Sequence, residues 1–170
     1  MTQSKSEISL HDETSVEVRR SFSAPRELVY QAYTVPELFR RWCLGPPGWS
    51  LPVCEMDVRV GGSYRWRWRA DEGDLEFGFF GEFLEVDPPA RLVHTQTYDP
   101  GTIGNAMAEC TITVELSEAA GVTSVVTRIV YGSREERDLS LSTGMAEGME
   151  LSYQNLDALA AERAALGASD

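Results

Sequence analysis

The chain has 170 residues, 42% hydrophobic and 25% charged, with a formal net charge of −12 at pH 7. Such a balance fits one packed domain and excludes a disordered or fibrous chain. The negative field repels polyanions, no apolar run nears the ~20 residues of a membrane span, and MTQSKSEISLHDETS lacks the basic and apolar regions of a signal peptide, so we expect no nucleic acid, no membrane and a cytoplasmic location.

Residues 1–13 read as a flexible tail, 14–166 as a single domain and 167–170 as a C-terminal tail. In TSVEVRRSF, from Thr14 to Phe22, alternation puts Val16, Val18, Arg20 and Phe22 on one face of a strand. An arginine on an apolar face needs a partner. Either an internal acid such as Asp57 or Glu109 supplies it, or the carboxylate or phosphate of a ligand does. Pro25 opens a helix with Leu28, Val29, Ala32 and Tyr33 at helical spacing, and Pro36 restarts another, PELFRRW, which makes two short helices over residues 25–43. LGPPGWSLP, 44–52, reads as a loop.

Six strands follow: CEMDVRV, SYRWRWRA, LEFGFFGEFLEV, RLVHTQTY, AECTITVEL and VTSVVTRIVY. Turn signals such as DEGD at 71–74 and DPPA at 87–90 separate them into an antiparallel meander. Beyond GSREERDLS the period becomes that of a long amphipathic helix with Met145, Met149, Ser152, Leu156 and Leu159 on its apolar side. The fold class is therefore α+β, with a helix on one face of a curved antiparallel sheet.

SYRWRWR, 63–69, interleaves Tyr64, Trp66 and Trp68 with three arginines. A hairpin turn at DEGD sets Trp68 opposite Phe77, Trp66 opposite Phe79 and Arg69 opposite Glu76. Burying each aromatic contributes roughly 1.5–3 kcal/mol, whereas an exposed ion pair contributes ~0–1, so the rings turn inward and the arginines face water. A nucleic-acid platform needs both on one surface. Whether the ring face is all core or partly a cavity wall is the open question. Gly144 and Gly148 in the last helix each cost about 1 kcal/mol against alanine, and the offset is either close helix–sheet contact or room for a ligand over Trp66, Trp68 and Phe79. Met145 and Met149 would then be an adaptable apolar lining.

Chemistry-bearing residues are sparse. Cys43, Cys54 and Cys110 are widely spaced and read as buried thiols, while His11 and His94 are the only histidines, so no metal site and no cofactor are expected. There is no GxSxG, no Cys–His set, and the single lysine, Lys5, lies in the tail; GPPG lacks the residues of a nucleotide loop. No catalytic constellation is recognisable. His94 and Arg20 are the weak candidates, and a surface or structural role is the expectation for His94.

The series RSFSAPRELVYQAYTVPELFRRWCLGPPGW, EMDVRVGGSYRWRWR, GEFLEVDPPARLVHTQTY and GMAEGMELSYQNLDALAA resembles the activator of heat-shock-protein-90 ATPase homologue family. That family is C-terminal-domain-like and lies within the START-like (SRPBCC), birch-pollen-allergen-like helix-grip superfamily. The resemblance implies a seven-stranded antiparallel sheet gripping the last helix, with a hydrophobic cavity between them. It also implies noncatalytic binding of a small hydrophobic or amphipathic ligand, with Trp42, Trp49, Met56, Tyr64, Trp66, Trp68, Phe77, Phe79, Met145, Met149 and Ser152 as lining and Trp49 as a lid on its loop. The alternatives it offers are a chaperone-cofactor-type interaction protein of the ATPase-activator kind, linked to stress response, and a cyclase or hydrolase acting in the same cavity. The ATPase activators carry a further N-terminal domain that residues 1–13 cannot supply, which argues against a chaperone partner. Edge strands permit a homodimer.

Overall fold

Alternation in β2 (Ser15–Phe22) sets the sheet's inner face: Val16, Val18, Arg20 and Phe22 are all buried. The structure is a computed structural model and describes residues 5–168. A short β1 (Glu7–Leu10) precedes β2, and α1 (Arg26–Thr34) and α2 (Pro36–Trp42) follow it. Next come β3 (Trp49–Met56), β4 (Ser63–Ala70), β5 (Glu76–Asp87), β6 (Arg91–Asp99), β7 (Cys110–Ala119), β8 (Val122–Val130), α3 (Arg134–Leu141) and α4 (Met145–Ala168). The strands form one antiparallel eight-stranded sheet in the order β1-β2-β8-β7-β6-β5-β4-β3. Helices and inner face share one core, as the α+β reading requires. The hairpin register is the one alternation predicts, with Trp66 opposite Phe79, Trp68 opposite Phe77 and Arg69 opposite Glu76.

Four local expectations change. The segment read as a tail holds β1, where Ile8 pairs with Val18 and packs on the core, and the Ser6 amide donates to Glu150 Oε2 at 3.1 Å; the sheet thus has an eighth strand where the resemblance implies seven. Residues 1–4 and 169–170 of the expected tails lie outside the described residues. The 44–52 loop is shorter than expected, since β3 starts at Trp49. Pro52 is tolerated because β3 is an edge strand, and the pairing shifts between Ser50 and Val53. GSREERDLS forms α3, capped by Ser133, whose side chain accepts from the Glu136 amide at 3.2 Å, while Glu136 Oε2 accepts from the Gly132 amide at 3.0 Å. Gly144 is not inside the helix. Its φ of +82° makes the left-handed turn between α3 and α4, which accounts for glycine there without any ligand.

Arg20 ties the sheet to α4, and its partners are Glu150 and Asp157 rather than Asp57 or Glu109. Its Nη2 donates to Asp157 Oδ2 at 2.7 Å, Nε to Glu150 Oε2 at 3.3 Å, and Nη1 to the Ser21 carbonyl at 2.9 Å. The two acids, two helical turns apart, bracket Tyr153, whose ring lies 5.8 Å from the guanidinium; Phe22 lies 4.9 Å away. The Arg20 side chain is 1% exposed, so losing its partners would strand a buried charge.

Breaking this link is predicted to be expensive. Arg20→Ala should destabilise the fold by about 3–5 kcal/mol, read from the urea midpoint, and Arg20→Met by less because it keeps the volume filled. Burial raises the Glu150 pKa, but the bonds from Arg20 and Ser6 outweigh it and hold the carboxyl below 4.5. Its stabilisation is therefore present above pH 4.5 and lost as pH falls through the lower folded value. The stability gap between wild type and Glu150→Gln should narrow below pH 4.5.

Candidate functional site

Along the inner face, packing runs from closed to open. Under α2 and the turns of α4 from Ser152 onward the rings are locked. Trp42 Nε1 donates to the Ala32 carbonyl at 2.8 Å, and its ring stacks over Tyr153 with centroids 6.3 Å apart. Phe39 stacks on Trp66 at 4.6 Å, and Tyr64 sits 4.2 Å from Trp66. Ser152 Oγ accepts from the Gly45 amide at 2.9 Å, so this hydroxyl pins the loop after α2 to α4. Met56, itself only partly buried, pairs opposite Tyr64, at the far end of β4 from Trp68. Trp42, Tyr64, Trp66 and Ser152 are all buried, as parts of this packed half.

The other end of the sheet is looser. Because neighbouring strands are antiparallel, the start of β3, the end of β4, the start of β5 and the end of β6 meet at one edge of the sheet. Trp49, Phe77 and Phe79 are there only partly buried against the core, and Met145 and Met149 in the first turns of α4 are likewise only partly buried. Trp68 makes the floor: its Nε1 donates to the Cys43 carbonyl at 2.7 Å, and its ring stacks on Phe77 at 5.3 Å. Trp49 is part of β3 and meets Phe77 edge-on at 5.4 Å, which makes it a fixed wall instead of a loop-borne lid. Met145 Sδ lies 3.6 Å from both the Tyr131 and the Ser140 hydroxyls, so α3 and β8 position the start of α4. A Cβ added at Gly148 would meet nothing within 4 Å. Gly148 lies one turn before Ser152, on the same side of α4.

Tyr98 belongs to this wall although sequence reasoning left it out. It pairs opposite Phe79 with ring centroids 5.5 Å apart, and its hydroxyl donates to the Ile103 carbonyl at 2.7 Å. The signal was available in the shared face of Leu92, His94, Gln96 and Tyr98. Two surface clefts lie elsewhere, one of about 220 Å³ beside Lys5, Arg19 and Arg20, the other of about 360 Å³ between Asp12, Glu13 and Arg134; neither includes any expected lining residue.

The remaining polar groups are poor reagents. His94 is buried among Tyr64, Trp66 and Phe83, with Nδ1 3.0 Å from the Tyr64 hydroxyl and 3.1 Å from the Thr95 carbonyl. Burial lowers its pKa from 6.5 to about 4, against the opposing Thr95 carbonyl. Burial likewise pushes the Cys43 thiol up to about 12 and Cys110 to about 11. The cysteines are free, Cys54 and Cys110 buried and Cys43 half-buried. Arg67, expected to face water, is mostly covered and bonds Glu76 at 2.7 Å and Asp99. Among the described residues no cluster is placed to hold a metal ion, and no helix is long and apolar enough to cross a membrane.

A curved antiparallel sheet packed under a long C-terminal helix, with two short helices beside it and a half-open aromatic wall, is the helix-grip architecture of START-like proteins. The chain belongs to the Activator of Hsp90 ATPase homolog 1-like protein family, whose profile matches residues 23–161. Membership places it in general terms among ligand-binding or chaperone-cofactor-like proteins and specifies no ligand. A Rhodobacter sphaeroides protein of known structure is 29% identical, with a TM-score of 0.82 over 93% of this chain and 99% of that one. One from Nitrosomonas europaea is 26% identical, with a TM-score of 0.77 over 92% and 99%. An AHSA1-like protein from Aeromonas hydrophila, 20% identical at a TM-score of 0.65 over 84% and 93%, shares the fold. No curated protein matches the sequence.

The unfolded chain takes up the His94 proton near pH 6.5 and the folded chain only near 4, so stability is undiminished above 6.5 and falls as pH drops from there toward 4. Imidazole resonances of His94 should accordingly stay in the neutral form down to pH 5; an inflection between 6 and 7 would show that the ring is solvated.

Proposed function

We propose that the chain binds one small apolar or amphipathic molecule, without converting it, in the groove between the first turns of α4 and the ends of β3 to β6. The observation that carries this is the set of partly exposed rings at Trp49, Phe77 and Phe79 together with Met145, Met149 and the unfilled space at Gly148. Covering a large apolar side chain is worth roughly 1.5–3 kcal/mol, and here several stop short of full burial side by side. A guest with a hydrocarbon or aromatic body would complete their burial. Methionine suits such a lining because its unbranched thioether adapts to different shapes.

The reading without chemistry rests on what the candidate reagents are already doing. His94 is a weak base engaged by Tyr64 and Thr95, the thiols stay protonated, and Arg20 is held by two carboxylates. Binding therefore depends on the wall rather than on a reacting group.

Titration with 1-decanol, followed by tryptophan emission, tests the site. A saturable shift is expected in the wild type and its loss in Gly148→Leu, which fills the groove from α4. Gly148→Ala should leave binding near normal and raise stability by about 0.5–1 kcal/mol, since the new methyl meets nothing. Equal binding by wild type and Gly148→Leu would remove the groove as the site.

A further inference from the structure

The charges around the groove select among amphipathic guests. Its connectors lie at the edge of the sheet where β4 turns into β5 and β6 leads to β7, and they carry Asp71, Glu72, Asp74 and Glu109, with Glu147 in the first turn of α4. Among the described residues none of these five forms an ion pair. The nearby cations are committed. Arg67 is bound to Glu76 and Asp99, Arg69 reaches Glu76 at 3.5 Å, and Arg134 lines a different cleft with Asp12 and Glu13. On the inner face Arg20 is held by both Glu150 and Asp157. An anionic headgroup would meet no free cation in the groove and a row of carboxylates at its rim.

The wall itself has the chemistry that a cation prefers. Trp49, Trp68, Phe77, Phe79 and Tyr98 form a continuous set of rings in mutual contact, with centroids 5.3 to 6.2 Å apart and several edge-to-face pairs. Three of these pairs set their ring planes 71° to 89° apart, the near-perpendicular arrangement of the walls of an aromatic cage for an ammonium group. Burial is the main cause that raises the Tyr64 hydroxyl and the Cys110 thiol, and the charge of Glu109 adds to both in the same direction. We infer that the guest is an amphipathic organic cation, an ammonium or other delocalised cation on an apolar body. This inference rests on the binding reading above and assigns it a ligand class: the body covers Phe77, Phe79 and the methionines, and the charge sits among the ring faces toward the acidic rim.

Three probes that share one tail separate the two claims: decyltrimethylammonium, 1-decanol and decanoate, each below its micelle concentration, titrated calorimetrically at pH 7 and low salt. The cation should bind about tenfold more tightly than decanol, and decanoate more weakly than either. Because an acidic protein attracts any cation, localisation comes from Phe79→Leu and Trp49→Leu, which keep apolar volume and remove a ring face. In each, the cation's advantage over decanol should shrink several-fold while decanol binding changes little. Glu109→Gln with Glu147→Gln should lower the same ratio and flatten its salt dependence. An unchanged ratio in the leucine variants, or decanoate binding as tightly as the cation, overturns the cation assignment while leaving a binding groove. Failure of all three probes to bind removes the groove itself.

Discussion

The buried guanidinium of Arg20 decides where the last helix lies. Two carboxylates on α4 converge on one cation in β2, and the ring of Tyr153 between them packs on Phe22 at 5.6 Å. Such a group is not tolerated unpaired in an apolar core, so sheet and helix have one relative placement in which the charge is satisfied. Ser152 holding the Gly45 amide, Asn155 donating to the Trp42 carbonyl at 3.2 Å and Arg41 meeting Glu162 extend that clamp along the helix.

The consequence for the site is mechanical. The helix packs against α1 and α2, and at its start Ser140 of α3 and Tyr131, just after β8, hold Met145. Glycine at 148 keeps that stretch thin. Trp49, Phe77 and Phe79 on β3 and β5 are left partly buried, and on the proposed reading a guest covers them. Arg20 is paired with two carboxylates, and burial keeps the His94 ring neutral and the Cys43 and Cys110 thiols protonated.

Much of this was legible in the residues because it follows from period and register. Alternation in SYRWRWRA and LEFGFFGEFLEV gives the observed facing pairs, and the placement of Arg20 on an apolar face called for an anionic partner, an internal acid or a ligand's, of which the structure shows the internal acids. Its partners were not readable, since Glu150 and Asp157 fall outside the helix's apolar stripe and only the helix's rotation over β2 turns them toward the sheet. The four-residue β1 was too short for alternation to register, and β3 was displaced because Pro52 reads as a loop unless the strand is known to be at an edge. α3 carries a readable cap, Ser133 followed by Glu136. Within the eleven-residue lining implied by the resemblance, sequence could not separate the locked side chains, such as Trp42, Trp66 and Ser152, from the half-open ones. That division depends on how far α4 reaches.

On the proposed reading a guest sits at the half-open end of the sheet. Intermolecular NOEs between protonated 1-decanol and the protein labelled at methionine methyls read this directly, because Met56 lies at the end of the sheet away from Tyr131, which holds Met145. Contacts to the Met145 and Met149 methyls with none to Met56 are the predicted result. Contacts to Met56 without those two would place the guest at the other end and contradict it.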